Sequence, residues 1–396
     1  MINNKDKILF ITQWQYEDAL VQTYTLPYIN IIKRLTLSNC SLVTIGKTNK
    51  TTRITKQGLE VIELPDPTGI FRLQWLFNIL ILRRIVRKEK FTVLHAWCTP
   101  AGSVAAILKM ICSKIKLVLD SVEPHAEAMV ECKIWNKGIK FKALFYLEKL
   151  QIRKANRLIF AAKGMDKYIS EKYHLNIAGY YVKPACIDLA AFSENLIKDS
   201  PLLKQFGLED KIVCVYAGKF GGFYMEDETF QFVKQCEEYW GKDKFRFLLL
   251  SNAADKYLES KRLKYDINKQ TTIKLFVPHN EVPKYMGMAD FALSPYKPAP
   301  SKRYGTPIKN GEYWALGLPV IITPGISEDS EIIEKNKAGA VLHGFSNEDY
   351  IKAIKAIDVI ISSRSKEEIY KIIRPFAEKY RNFSIAEQVY SSIYKS

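Results

Sequence analysis

The chain has 396 residues, too many for one typical core and suited to two domains of roughly 150–200 residues each. Its 47% hydrophobic and 26% charged residues exclude large-scale disorder, and its longest apolar stretch, 73–82, falls far short of the ~20 residues of a membrane span. Of the net +17, most lies in residues 1–195, where 29 Lys and Arg face 16 Asp and Glu, which implies an acidic partner, either nucleic acid or an anionic membrane surface.

The chain opens with KILFIT at 7–12, a continuous apolar run of the kind found in buried parallel strands. This run is too short for a signal-peptide core, so a cytoplasmic location is expected. Strand-like runs follow at 40–46, 60–64, 92–96, 116–120 and 156–162, alternating with helix-like segments at 21–36, 70–89, 100–113, 138–154 and 163–174. That alternation predicts a doubly wound parallel sheet.

The pattern breaks between 183 and 199 and resumes with strands at 212–217, 245–250, 271–276, 290–294, 318–322 and 339–342. Helices are expected near 227–239, 254–264, 281–288, 308–316, 327–334 and 346–361. The fold class is therefore α/β, two tandem Rossmann-like domains with a hinge near 190 and an interdomain cleft at the carboxyl ends of the strands. The expected domains are 1–190, 191–375 and a terminal helix, 376–396, set off by Pro375 and packing back on the first domain. Seven scattered cysteines with no CxxC pair predict reduced thiols and no zinc site.

The stretch 303–323, RYGTPIKNGEYWALGLPVIIT, concentrates the chemistry. Lys309 and Glu312 are three apart and share one face of a short helix, where an ammonium and a carboxylate near a helix N-terminus suit a ligand with an anionic end and a hydroxyl-rich end. Earlier, VYAGKFGGFYMEDETF runs a strand into Gly218, Lys219, Gly221 and Gly222, offering free amides and a cation to a phosphate, although glycine turns after strands are common. The acidic triple Glu226, Asp227, Glu228 reads as first-turn acids matched to the helix dipole, and no metal is expected. In VPHNE, the backbone at Val277 and Pro278 can border a planar base, while His279 reads as a surface or structural histidine.

Together, the tandem domains, GKFGG, ADFALSPY and TPIKNGEYWALGLPVI resemble GT-B fold glycosyltransferases, most similar to family 4 (group 1), the retaining nucleotide-sugar enzymes. The resemblance implies that Lys219 and Lys309 hold a donor diphosphate and that Glu312 binds the ribose hydroxyls. Gly218, Gly221, Gly222, Val277 and the loop of Tyr304, Gly305, Thr306, Pro307 and Ile308 complete the expected donor site. It further implies a catalytic histidine near the transferring sugar, for which His125 in DSVEPHAEAMVE is the match, with Glu123 on the acceptor side. His95 and Trp97, in VLHAWCTPAG, are read either as acceptor-side residues or as core packing. Two positions depart from the family pattern. Tyr304 stands where a donor-sugar glutamate is frequent, and ITQWQYEDALVQ lacks the glycine pair after the first strand.

The expected activity is transfer of a sugar from a nucleotide-diphosphate donor to a glycan or lipid-linked glycan hydroxyl, in bacterial surface polysaccharide synthesis, with no cofactor or metal. Basic residues on 70–89 and along 133–154 also allow peripheral contact with an anionic membrane surface on the inner face. No nucleic-acid motif accompanies the charge, so nucleic acid is not an expected partner. A GT-B fold sugar-nucleotide epimerase, a non-enzymatic basic binding protein and a catalytically silent scaffold are the rival readings.

Overall fold

The computed structural model describes residues 6–47, 50–66 and 74–395. Residues 1–5, Arg72 and the opening of the predicted helix at 70–73 lie outside the described residues, as does the side chain of Trp75. The chain divides into two units. The first comprises Met1–Val130, Trp135–Cys186 and Phe383–Ser396, and the second comprises Glu131–Ile134 and Ile187–Asn382. The division falls at 186/187, near the hinge expected at 190. The return to the first unit begins at Phe383, later than the expected 376.

In the first unit, eight strands form one sheet: β1 (Ile8–Ile11), β2 (Cys40–Ile45), β3 (Thr52–Lys56), β4 (Leu59–Leu64), β5 (Val93–Trp97), β6 (Lys116–Val122), β7 (Arg157–Phe160) and β8 (Tyr181–Val182). Their order is β3-β4-β2-β1-β5-β6-β7-β8, with every pair parallel except β3 and β4. The parallel strands other than β8, a two-residue half-buried edge strand, were expected because their apolar runs are buried on both faces; β1 and β5 are buried throughout. The pair β3–β4 is a hairpin closed by Gln57 (φ 50) and Gly58 (φ 69), a left-handed pair that suits a two-residue turn. It was not expected because Thr52–Lys56 alternates half-buried and exposed residues at a sheet edge.

The terminal helix Phe383–Tyr394 is fastened to this unit by a fully buried polar cluster. Tyr390 donates to Asp120 Oδ2 at 2.6 Å, and Tyr394 bonds His95 Nδ1 at 2.7 Å. Lys183 lies 3.3 Å from Asp120 Oδ1 and 3.8 Å from the Tyr28 ring centroid. Burial alone would raise the Asp120 carboxyl, but Lys183, His95 and Tyr390 hold it well below the usual carboxylate range. Burial likewise pushes the His95 imidazole down and keeps it neutral, in spite of Asp120.

The second unit has a six-stranded parallel sheet: β9 (Ile212–Ala217), β10 (Phe245–Leu250), β11 (Thr272–Leu275), β12 (Phe291–Ser294), β13 (Val320–Ile322) and β14 (Gly339–Val341). The order is β11-β10-β9-β12-β13-β14, so the winding reverses between β9 and β12. Alternate residues of β9 serve two cores, with Val213, Val215 and Ala217 on one face and Cys214 and Tyr216 on the other. Helices stand at each predicted place, including Asp227–Trp240, Ile308–Ala315 and Asn347–Ser362.

Pro375 does not break the chain as expected; it lies inside the helix Lys366–Arg381. It is exposed, as is Lys371, whose carbonyl it deprives of the usual helical donor on the solvent face, where water can serve it. All seven cysteines are free thiols. Among the described residues, no helix is long and apolar enough to cross a membrane.

Candidate active site

Because the second sheet is parallel, the loops after β9, β11 and β12 all leave from its carboxyl edge. Those after β9 and β12 flank the reversal point, the place where open α/β sheets bind ligands. The loop after β9 begins with Gly218, whose amide donates to the Leu250 carbonyl at 3.1 Å. A Cβ there would stand 2.8 Å from the Tyr216 hydroxyl, which itself donates to the Lys219 carbonyl and folds the loop back. Gly221 (φ 81) and Gly222 (φ 61) take the left-handed conformation that other residues adopt at a cost. Neither of their amides bonds the backbone of the described residues. The Lys219 side chain is exposed and borders a cavity of about 280 Å³ shared with Phe220, Ser251, Asn252 and Tyr257.

This loop is joined to the segment after β12. Met225 donates to the Pro295 carbonyl at 2.7 Å, Lys297 donates to the Phe223 carbonyl at 2.9 Å, and the Tyr224 and Tyr296 hydroxyls meet at 3.2 Å. The Lys302 ammonium lies 3.3 Å from the Phe223 ring centroid. Tyr304, Gly305 and Thr306 are half-buried and Pro307 is buried. Arg303 and Tyr304, with Pro324 and Gly325, line a cavity of about 540 Å³.

Ile308 opens the helix Ile308–Ala315, which follows an extended Pro307 and turns the positive end of its dipole toward the loop, an end that suits an anion. Lys309 donates to Glu312 Oε2 at 2.7 Å. The lysine side chain is 31% exposed and the glutamate 3%, so the cation faces outward from a buried partner. The Ala217 amide donates to the Tyr313 hydroxyl at 3.0 Å, which ties this helix to the end of β9. Behind it, Asp329 accepts from Asn310 Nδ2 at 2.7 Å and from Arg381, all three buried. Arg374 donates to the Ala315 carbonyl at 2.7 Å and so caps the helix C-terminus.

Val277 is half-buried on the loop after β11, on the same edge. The neighbouring His279, read from sequence as a surface or structural residue, is close enough to Glu312 and Lys309 to feel both charges. Burial pushes its imidazole down, Glu312 pulls it up, and Lys309 pushes it down again. Its position after a strand at the carboxyl edge was the available signal. Asp227 and Glu228 stand in the first turn of the helix Asp227–Trp240, and Asp227 is held by Lys261 at 2.5 Å and by Lys264 at 2.9 Å.

In the first unit, His125 starts the helix His125–Glu131 and lies 3.9 Å from Glu123, both half-buried. His95 and Trp97 are wholly buried and have no surface to offer an acceptor, so of the two readings core packing holds.

Residues 193–370 match the family model of glycosyl transferases group 1. A curated relative is the UDP-N-acetylglucosamine--N-acetylmuramyl-(pentapeptide) pyrophosphoryl-undecaprenol N-acetylglucosamine transferase of Caldicellulosiruptor saccharolyticus, 26% identical over 293 residues, 72% of this chain and 70% of the relative. Among solved structures, sucrose-phosphate synthase from Thermosynechococcus elongatus superposes with a TM-score of 0.79 at 13% identity, covering 99% of this chain and 98% of that one. WaaG, a glycosyltransferase involved in lipopolysaccharide biosynthesis, gives 0.75 at 14% identity over 98% and 100%. Anabaena HepE in complex with UDP and glucose gives 0.71 at 14% over 99% and 100%. Residues 193–370 thus belong to the glycosyl transferases group 1 family, and the chain that carries them is a glycosyltransferase of GT-B fold.

Proposed function

We propose that this glycosyltransferase moves a sugar, with retention and without a metal, from a nucleotide-diphosphate donor to a hydroxyl of a lipid-linked glycan in bacterial surface polysaccharide synthesis. The observation that carries the reading is Lys309 paired with buried Glu312 at a helix start by the sheet's reversal point, beside the loop of Lys219, Gly221 and Gly222. In the reaction the bond from the anomeric carbon to the diphosphate oxygen breaks and a bond to the acceptor oxygen forms, the acceptor's proton leaving with the diphosphate. Two lysines and the free amides stabilise the charge that grows on the leaving group, each such donor being worth about 3 kcal/mol. Glu312 takes the ribose hydroxyls and Val277 borders the base. His125 is assigned to the reacting sugar. UDP is the nucleotide to test first, since Anabaena HepE is seen with UDP and the Caldicellulosiruptor relative is named for a UDP-sugar.

In EDTA, a UDP-sugar is expected to raise the thermal transition above that seen with GDP- or ADP-sugars, by the mass-action stabilisation of a bound ligand. Glu312→Gln should weaken the same binding, read by calorimetry, by about 1.5–3 kcal/mol, the scale of hydrogen bonds to charged groups. Failure of every nucleotide sugar at millimolar concentration to stabilise the protein would remove the transferase reading. Donor incubated alone that returns its epimer would replace transfer by epimerisation.

A peripheral membrane position belongs to the same reading. The helix Gln74–Glu89 exposes Phe77 (57%) and Leu80 (56%) beside Arg84 and Arg87. The helix Ile139–Lys154 exposes Ile139 (87%) and Tyr146 (64%) among Lys140, Lys142 and Lys149. Each lysine or arginine near an anionic leaflet contributes about 1 kcal/mol. Liposomes containing phosphatidylglycerol should therefore sediment the protein at low salt, and Phe77→Ser/Leu80→Ser should reduce that binding. Equal partition to neutral liposomes, or stronger binding to RNA, would count against it.

A further inference from the structure

At the carboxyl ends of two neighbouring strands of the first sheet, the chain adopts left-handed backbone at residues other than glycine: Cys98 (φ 63) after β5 and Ser121 (φ 56) within β6. Such positions carry a cost and persist where surrounding contacts enforce them. Cys98 itself opens the helix Cys98–Ile111, Ser121 is followed closely by the helix His125–Glu131, and one buried carboxylate holds the start of both. Glu148, 4% exposed, accepts at Oε1 from the Ala126 amide at 2.9 Å and from Thr99 Oγ1 at 3.5 Å, and at Oε2 from the Tyr173 hydroxyl at 2.9 Å. One turn along, Gln151 reinforces the bridge by donating to the Thr99 carbonyl at 2.9 Å and to Ser103 Oγ at 2.8 Å.

We propose that Glu148 is a positioning residue for His125: as an anion, it fixes the Ala126 amide and with it the backbone that aims the imidazole. The inference rests on the reading of His125 given above. Among the described residues no lysine or arginine pairs with Glu148, which sets it apart from the buried Asp120. The groups whose charge reaches it are His125 and Glu123 from the loop after β6, and Tyr173 and Tyr168 from the neighbouring turn. Burial pushes the Glu148 carboxyl up to about 7, against the Ala126 amide, Tyr173 and His125, which favour the charged form. The carboxylate therefore gains a proton just below neutral pH, and one of its acceptor oxygens becomes a donor.

The experiment combines two readouts on the full chain. In alanine-labelled protein, the Ala126 amide proton should titrate with a midpoint of about 7 in the wild type and lose that step in Glu148→Gln. UDP release from UDP-glucose and UDP-N-acetylglucosamine should show an acid limb at the same midpoint. Glu148→Gln should abolish that limb and lower kcat by about 10- to 100-fold, the scale of a misplaced reacting group, with KM little changed. A merely structural role would lower the melting temperature and leave the pH profile intact, and that outcome overturns the proposal. If Glu148→Gln does not fold, Tyr173→Phe serves instead. Loss of its donor raises the Glu148 carboxyl, so the limb should move to higher pH, and a limb that stays put is equally fatal. His125→Ala separates the two ideas. Wild-type turnover in that variant ends the reading of His125 itself, whereas lost turnover there with an unchanged Glu148→Gln profile ends only the role of Glu148.

Discussion

Lys309→Ala is expected to lower turnover by about 10²- to 10³-fold, the loss measured when one preorganised donor to a developing anion is removed. The geometry offers two accounts of such a loss, because Lys309 also neutralises Glu312, whose side chain is only 3% exposed. Without the lysine, a buried carboxylate would be left without its cation, and the helix start could be disturbed for that reason alone. The double variant Lys309→Ala/Glu312→Gln distinguishes them. If the lysine acts on the departing diphosphate, turnover in the double variant stays at least as low as in Lys309→Ala. If the lysine only balances Glu312, removing the carboxylate's charge restores most of the lost rate. Wild-type turnover in a well-folded Lys309→Ala would remove the leaving-group role outright. Donor affinity should fall less than kcat, because the charge on the diphosphate grows as its bond to the sugar breaks.

Local pattern made the architecture legible. Apolar runs such as Ile8–Ile11 and Val93–Trp97 are strands because both sheet faces are covered, and a run of that kind needs no distant information to be read. The pairing of Lys309 with Glu312 was legible for the same reason, since three residues along a helix fix their proximity. What escaped was set by partners far away in the chain. Glu148 lies on a helix rich in lysine, and its sequence neighbourhood suggests a solvated face; only the fold brings Ala126, 22 positions away, to its carboxylate. His279 looked peripheral until the sheet order put its loop on the edge that carries Glu312. His95 was left between two readings, and burial selects core packing. A histidine at a strand end was allowed a ligand-side role, yet the returning helix covers it through Tyr394.

Asp329→Asn is expected to cost the second unit about 3–5 kcal/mol, the penalty for stranding one charge of a buried pair. Asp329 sits in the first turn of the helix Asp329–Asn336, where an acid would ordinarily face solvent, but here it is fully buried and accepts from both Asn310 and Arg381. The Arg381 side chain is 4% exposed, and its stem lies against Gly311, where an added Cβ would come within 2.9 Å of it. The amide of the variant can still accept from Asn310, but it leaves the guanidinium without a counter-charge. In a unit of this size the penalty corresponds to a fall in melting temperature of about 10 °C. Because the same pair backs the helix that carries Lys309 and Glu312, donor affinity should weaken well below the transition, linking a stability defect to a binding defect through one element. A second substitution tests the cause. Asp329→Asn/Arg381→Met removes both charges while leaving an acceptor for Asn310 Nδ2, and no buried charge is then left without its partner. The double variant should therefore regain most of the melting temperature that Asp329→Asn loses. A single variant that melts with the wild type would show that the pair does not hold this helix, and a double variant no better than the single would place the loss in packing rather than in charge.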